Sequence, residues 1–309
     1  IEQMKSLKKT NDLTLSDIQK SAFSELSMTQ DNASFEMGFS LIADNAEIIL
    51  SKASDLNYLR RMILHLAVRG KLVPQNDKDE PVSELLNRIA SEKGKEIEDG
   101  IITQPKSFTD IERIGEPFEI PTGWKWTQLG RECLVIMGNS PKSASYNTEG
   151  VGVPLINGPV EFSKDSLGPT LLTKYTSEPT KLCKAGDILV CVRGATTGRT
   201  NIAAFDACIG RGVGLVRGYE AQDYVNLYML WVGRELLATG KGMIFPSITY
   251  DDLASKPIPM PPLNEGIQII NKVRELYSMC DLLEVGLLSE QKLRPNLMNS
   301  LIEEILEAL

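Results

Sequence analysis

The amino-acid sequence predicts an α+β protein in which a mixed α/β domain is flanked by long helices that pack as an antiparallel coiled-coil-like pair. Three observations support this prediction. Apolar residues recur every three or four positions in the first section, short apolar runs separated by turn-forming residues fill the middle, and a heptad-like apolar seam occupies the last section. Both helical sections need a partner for their apolar stripes, and the simplest partner of each is the other.

The first section contains the stripe of one long helix. Apolar side chains follow helical spacing from residue 35 to residue 68. Gly70 is placed to end this helix, and Pro74 prevents its continuation. The positions of this stripe expected to contact the other helix are Ile49, Ala53 and Leu56.

A second, shorter amphipathic helix is predicted over Val82–Lys93, because Pro81 suits a first helical turn. The polar residues that follow include several glycines and prolines, which are typical of a linker. We therefore expect four sections: an N-terminal helical region over 1–93, a linker over 94–117, a globular domain over 118–258 and a C-terminal helical region over 259–309.

The globular domain is predicted to consist of short strands and one helix. The helix is expected over Val225–Leu237, where the apolar run is long enough for several turns. Five shorter apolar runs are bounded by Gly, Pro, Asn or Thr and are predicted strands. They are Cys133–Met137, Val153–Ile156, Asp187–Val192, Ile202–Phe205 and Gly212–Val216.

The last section begins after four prolines between positions 257 and 262. An apolar seam with alternating spacings of four and three residues follows, which is typical of a helix that pairs with another helix. We expect it to contact the first long helix through Leu276, Cys280 and Leu283. No cap or glycine ends the final helical stripe at Leu309, which favours a native chain that continues past it.

The composition offers little material for catalysis. His65 is the only histidine and lies in an apolar helical stretch, and the five cysteines form no CxxC pair. Reduced thiols in a cytoplasmic protein are the expected state. The glycine-rich segment 194–200 lacks the spacing and the lysine of a phosphate-binding P-loop. We therefore predict no catalytic residue, no metal site and no cofactor, and no apolar run is long enough to cross a membrane.

Charge is unevenly distributed along the chain. The whole sequence has a net charge of −8, but residues 181–217 carry a net charge of +4. Such a basic section could face phosphate groups, and it is equally consistent with an ordinary solvated surface. With this balance, we expect duplex DNA to be bound weakly by the chain alone and better with a basic partner.

Four sequence blocks, in order and at suitable intervals, resemble those of the specificity subunits of type I restriction–modification enzymes. Each block alone is moderately specific, and the four together are strongly so. Gly266 departs from the family pattern, which usually has Gln at that position. The blocks are Leu59–Gln75, Ile120–Trp124, Lys184–Arg199 with Ile209–Val213, and Pro257–Glu265.

The resemblance implies a non-catalytic subunit that reads double-stranded DNA and docks methyltransferase (modification) subunits, and through them the restriction subunit. Residues 118–258 would be its target-recognition domain, and residues 259–309 would hold its spacer helix. The family usually has two recognition domains in one chain, each reading half of a bipartite target. With one such domain, the chain is either a half-sized subunit that associates with itself through its helices or part of a longer subunit.

Two other hypotheses remain open. The chain could be the recognition part of an adenine DNA methyltransferase whose catalytic domain lies outside it. Such an enzyme needs an Asn/Asp-Pro-Pro-aromatic motif, which does not occur here. A helical scaffold whose middle domain binds protein is the third hypothesis, and it predicts no affinity for DNA in any complex.

The expected DNA contacts lie in polar loops of the recognition domain, because base edges are read by short polar side chains and Arg while phosphates are held by Lys, Arg and backbone amides. Each loop is about equally consistent with a structural turn, and Gly186–Asp187 is more typical of one. The predicted contacts are Lys142, Ser143, Tyr146, Asn157, Arg193, Thr196, Thr197, Arg199, Arg211, Lys241, Phe245 and Ser247.

Overall fold

A computed structural model describes much of the chain, namely residues 56–100, 102, 115–239, 247–288, 300–302 and 304–305. Four residues singled out from the sequence lie outside the described residues: Ile49, Ala53, Lys241 and Phe245. The chain divides into two compact units. The first takes residues 1–78, 116–123 and 268–309, and the second takes residues 79–115 and 124–267.

The described helices are α1 (Leu56–Val68), α2 (Val82–Glu98), α3 (Leu129–Glu132), α4 (Gln222–Thr239), α5 (Tyr250–Ala254) and α6 (Leu263–Leu288). The strands are β1 (Lys125–Gln128), β2 (Leu134–Met137), β3 (Tyr146–Asn147), β4 (Val153–Ile156), β5 (Tyr175–Thr176), β6 (Leu182–Cys183), β7 (Ile188–Cys191), β8 (Thr200–Ile202), β9 (Ala207–Ile209), β10 (Val213–Arg217) and β11 (Pro257–Met260). This mixture confirms the predicted α+β class.

Helix α1 ends where the sequence predicts. Gly70 has a positive φ of 67°, a left-handed conformation that glycine adopts readily. The backbone amide of Lys71 then donates to the carbonyl of Leu66 at 2.9 Å, which closes the last turn. One face of α1 is fully buried, with Leu59, Ile63 and Leu66 each at most 3% exposed.

Helices α1 and α6 contact each other within the first unit. The Arg60 guanidinium donates to Asp281 at 2.6 Å and to Glu284 at 2.8 Å, and the Tyr277 hydroxyl donates to the carbonyl of Arg60 at 3.1 Å. The predicted seam of α6 is buried, as is the one described position of the α1 seam. Exposure is at most 2% at Leu56, Leu276, Cys280 and Leu283.

The described part of the second unit contains three sheets. Strands β1 and β11 pair antiparallel, and a four-stranded antiparallel sheet has the order β2-β10-β7-β8. The third sheet has the order β3-β5-β4-β9-β6, in which β4 and β9 are parallel. Strands β7 and β10 are apolar and buried in their central residues because this sheet forms the middle of the core.

Helix α2 differs from its prediction. It extends to Glu98, past the expected end at Lys93 and into the expected linker, and it belongs to the β-rich unit. The Lys93 ammonium is buried and donates to the carbonyls of Gly130, Arg131 and Cys133 at 2.6–2.9 Å. That tertiary anchor favours continued helix beyond Lys93, although glycine follows it. The predicted boundaries of the four sections, 1–93, 94–117, 118–258 and 259–309, remain predictions.

The strand prediction was wrong at one place. The run predicted as Ile202–Phe205 forms a strand at Thr200–Ile202 instead, and residues 203–206 turn the chain into β9. The reason is that Thr200 and Asn201, polar residues that the apolar pattern omitted, are buried and bonded to a neighbouring loop. The other predicted strands agree with β2, β4, β7 and β10 to within one residue.

Candidate DNA interface

Three connecting loops of the second unit meet through backbone contacts. The amide of Gly138, after β2, donates to the carbonyl of Val213 at 2.8 Å. Gly210 donates to the carbonyl of Ile156 at the end of β4, at 2.9 Å. Glycine is required here, because a Cβ on Gly210 would lie 1.8 Å from the side-chain oxygen of Asn157.

Polar side chains connect these loops at the same place. The Ser140 hydroxyl donates to the side-chain oxygen of Asn157 at 3.0 Å. The same hydroxyl oxygen accepts the backbone N–H of Arg211 at 3.1 Å. Ser140 therefore fixes Asn157 and the backbone of Arg211 relative to each other. No residue that the structure describes accepts a hydrogen bond from the side-chain nitrogen Nδ2 of Asn157.

Two further segments contact these loops, residues 192–193 after β7 and residues 247–248 before α5. The amide of Val192 donates to the carbonyl of Gly212 at 2.9 Å, and Ile248 donates to the carbonyl of Val192 at 2.9 Å. Arg193 and Ser247 form an isolated antiparallel bridge. We call residues 138–147, 157–161, 192–193, 210–212 and 247–248 the loop cluster.

The loop cluster presents cations and hydroxyls to solvent. Lys142, Arg193 and Arg211 are exposed and form no ion pair with any residue that the structure describes. Ser143 and Ser247 are also exposed. Cations that no carboxylate neutralises, placed beside hydroxyl and amide groups, are suited to phosphate oxygens and base edges.

The segment that carries Lys142 and Ser143 is a short 3₁₀ turn over Ser143–Ser145. The buried Ser145 hydroxyl lies 2.7 Å from both the carbonyl of Lys142 and the hydroxyl of Thr176. The hydroxyl of the half-buried Tyr146 donates to the carbonyl of Pro141 at 3.3 Å. These hydrogen bonds fix the buried side of the turn, and Lys142 and Ser143 are exposed to solvent.

The segment after Arg193 is organised differently from the prediction. Thr197 is 4% exposed, and its hydroxyl donates to the carbonyl of Gly194 at 2.6 Å, so it stabilises the turn. The guanidinium of Arg199 is half-buried and donates to the carbonyl of Ser163 at 2.6 Å. Thr196 is half-buried at the turn itself. Both Thr197 and Arg199 thus form side-chain hydrogen bonds within the protein, and the DNA contacts expected of them stay predictions.

Two buried polar residues that the sequence reasoning did not single out hold the neighbouring loops. The Glu161 carboxylate is 1% exposed and accepts the backbone N–H groups of Asn157 and Gly158, both at 3.1 Å. The Asn201 side chain is 0% exposed and donates to the carbonyl of Asp165 at 2.6 Å. The only sequence signal for either role was its position, since Glu161 follows Gly158-Pro159 and Asn201 follows Gly198-Arg199.

Asp187 has the structural role that was predicted for it. Its carboxylate accepts both the Nε and an Nη hydrogen bond of Arg217, at 2.7 and 2.8 Å, and the backbone N–H of Lys184 at 2.7 Å. Asp187 is 2% exposed. The pair joins the start of β7 to the end of β10.

The described residues contain no group of three His, Cys, Asp or Glu side chains that could hold a metal ion. Among the described helices, none has the length and apolar character that crossing a bilayer requires. The five cysteines are all buried and unpaired.

Comparison with known proteins gives consistent results. A family model described as the type I restriction modification DNA specificity domain matches residues 121–291. A protein of Methanocaldococcus jannaschii named as the type I restriction enzyme MjaX specificity subunit is 36% identical over 224 residues, covering 71% of this chain and 51% of that protein. The Escherichia coli EcoAI specificity subunit is 30% identical over 256 residues, covering 79% and 43%.

Among solved structures, a chain from work on complex assembly and conformational transition of the type I R-M system has a TM-score of 0.50. It is 23% identical, and the match covers 89% of this chain and 60% of that chain. This likeness supports the fold. The chain spans about half the length of the curated relatives that it matches. Their names agree with the prediction of a specificity component and not an enzyme. The family match over residues 121–291 and the 36% identity establish that the chain belongs to the DNA specificity family of type I restriction–modification systems.

Proposed function

We propose that the loop cluster reads one half of a bipartite target in double-stranded DNA. The observation that carries this proposal is the convergence of Arg193, Arg211 and Lys142, three exposed cations, around the Ser140–Asn157 hydrogen bond. Cations of this kind hold phosphates, and a fixed amide and hydroxyl are suited to base edges. Among the other predicted contacts, Ser143 and Tyr146 lie in the segment that carries Lys142, and Ser247 bridges Arg193. A DNA contact of Thr196, at the half-buried turn that follows Arg193, is part of the proposal too.

The proposal includes a complex. A chain with a net charge of −8 repels DNA overall, so a basic partner that adds phosphate contacts makes tight binding feasible. We propose that this partner is the methyltransferase subunits, which dock on outer faces of the helices and connect the chain to the restriction subunit in the cytoplasm. The buried seam of α6 would set the spacing between half-sites.

The test is co-expression with type I modification subunits from the same genome, followed by affinity purification and mapping of methylated adenines in the host genome. We expect a stable complex and methylation at one bipartite sequence. The chain alone should transfer no methyl groups, which separates this proposal from a methyltransferase fragment. A complex that methylates without sequence preference, or no complex, would contradict it.

A matched pair of variants connects the result to the loop cluster. Asn157→Ala should change or erase one position of the methylated sequence because it removes an amide at the centre of the cluster. Asn264→Ala, an exposed Asn bonded to Asp79 and remote in sequence from these loops, should leave the methylated sequence unchanged. An unchanged sequence in both variants would remove Asn157 from the interface.

A further inference from the structure

The turn that follows Asn157 exposes an apolar side chain beside the polar ones. Val160 lies in the 3₁₀ turn Pro159–Glu161 and is 75% exposed, more than any other large aliphatic side chain in the described residues. A lone exposed valine needs no explanation by itself. The exposure of Val160 does need an explanation, because a buried carboxylate holds its turn in place.

The anchor is the buried carboxylate of Glu161. Besides the amides of Asn157 and Gly158, it accepts the Thr173 hydroxyl at 3.2 Å and pairs with the Lys174 ammonium at 2.9 Å. A buried carboxylate with four partners is costly to displace. Pro159 further restricts the turn at its first residue. Val160 is therefore held outward and cannot fold back onto the core.

Two further apolar side chains lie on the adjoining segment. The amide of Leu171 donates to the carbonyl of Glu161 at 2.7 Å, and Phe162 bridges Thr170 in antiparallel fashion. This pairing places Leu171 and Leu172 alongside the turn, and they are 48% and 51% exposed. The result is a rigid apolar edge that begins three residues after Asn157.

We propose that Val160 contacts the C5-methyl group of a thymine in the duplex that the loop cluster reads. This inference rests on the proposed function. Asn157 and Val160 belong to one turn, so their Cα atoms are at most about 11 Å apart, which is within the roughly 12 Å width of one major groove. The thymine methyl is the apolar group that the major groove offers, and small apolar side chains pack against it. Val160 is thereby a specificity-determining residue.

The test uses the complex with its modification subunits and the target sequence found by methylation mapping. Each thymine of the target is replaced in turn by deoxyuridine, which lacks only the methyl group, and binding is measured for wild type and Val160→Ala. For wild type, one replacement should weaken binding about fourfold, the factor that burying one methyl group is worth. For Val160→Ala, the same replacement should have a markedly smaller effect, because the shortened side chain loses most of its contact with the thymine methyl.

Val151→Ala is the matched control, because Val151 is 58% exposed and lies in a turn closed by the Asn147 side chain. It should retain the wild-type response to every replacement. A wild-type complex that binds its target no better than a scrambled duplex contradicts the proposed function itself. A second outcome overturns this inference alone. The wild-type complex would prefer its target to a scrambled duplex, but no thymine-to-deoxyuridine replacement would weaken wild-type binding more than it weakens binding by Val160→Ala. Loss of the modification subunits from the Val160→Ala complex also overturns this inference, since the apolar edge would then bind protein.

Discussion

The guanidinium of Arg199 donates a 2.6 Å hydrogen bond to the carbonyl oxygen of Ser163. The next two residues, Thr200 and Asn201, donate side-chain hydrogen bonds of 2.9 and 2.6 Å to other carbonyls of residues 163–166. Three consecutive side chains thus brace one loop. In the sequence, Arg199 and Thr200 belong to the glycine-rich segment 194–200, whose Thr196, Thr197 and Arg199 are predicted DNA contacts. In the structure the side chains of Arg199, Thr200 and Asn201 support the loop formed by residues 163–166.

Arg199→Ala should therefore act on stability first. We expect the free energy of unfolding to fall by about 1–3 kcal/mol, because buried carbonyls lose a charged donor. The salt slope of DNA binding by the complex should stay unchanged, which urea denaturation and binding titrations would show together. Arg193→Ala, at an exposed position, is the control and should leave stability unchanged. A normal unfolding curve for Arg199→Ala with a salt slope lowered by about one unit would mean that Arg199 contacts phosphate after all.

Asp187→Asn should be among the most destabilising single substitutions. It removes the nearer of the two carboxylates that face the Arg217 guanidinium, 14% exposed, and leaves only Glu96 at 3.9 Å, at an expected cost of about 3 kcal/mol. Chemical denaturation measures this loss. Glu178→Gln, at an exposed carboxylate, should change stability by less than about 0.5 kcal/mol. Equal effects for the two variants would contradict the structural role of Asp187.

Leu276→Asp tests the buried seam of α6. Leu276 is 0% exposed, so the substitution buries an unpaired charge, and we expect a loss of several kcal/mol in a thermal or chemical unfolding experiment. Leu282→Asp, on the same helix at 57% exposure, is the matched control and should be close to neutral. If Leu276→Asp is equally well tolerated, α6 does not pack through this seam.

Stability should decline in alkaline solution partly because of one thiol. Burial raises the pKa of the Cys133 thiol from 9.0 to about 12. The unfolded chain therefore releases this proton near pH 9 while the folded chain keeps it, so stability is complete below pH 9 and is lost as the pH rises towards 12. Between pH 8 and pH 10, wild type should lose about 1.4 kcal/mol more than Cys133→Ala. Identical pH profiles of the two proteins would contradict this.

The fold class was predictable because it depends on local periodicity. Strands β4 and β7, the stop at Gly70 and the apolar seam of α6 all follow from the alternation of apolar and turn-forming residues. The extension of α2 past Lys93 could not be predicted from this alternation. It depends on carbonyls of residues 130–133, which become neighbours only in the folded chain.

The candidate site was predictable in part. Its loops could be found by composition, and Lys142, Arg193 and Arg211 are exposed as a contact requires. Composition could not separate the exposed Arg193 from the braced Arg199, because burial is decided by which loop packs beneath each. Buried Glu161 was missed for the same reason, since two of its four partners are backbone amides and the other two, Thr173 and Lys174, are neighbours only in the folded chain.

The most direct test of the proposed interface is the salt dependence of DNA binding by the complex that contains Arg211→Ala. Plotted as log affinity against log salt concentration, the slope should fall by about one unit if Arg211 contacts phosphate, or discrimination at one base pair should relax by about 1–3 kcal/mol if it contacts a guanine. Lys125→Ala, an exposed cation on β1 and outside the loop cluster, should change neither quantity. An Arg211→Ala complex that keeps the wild-type slope and the wild-type base preference would contradict the claim that the loop cluster reads DNA.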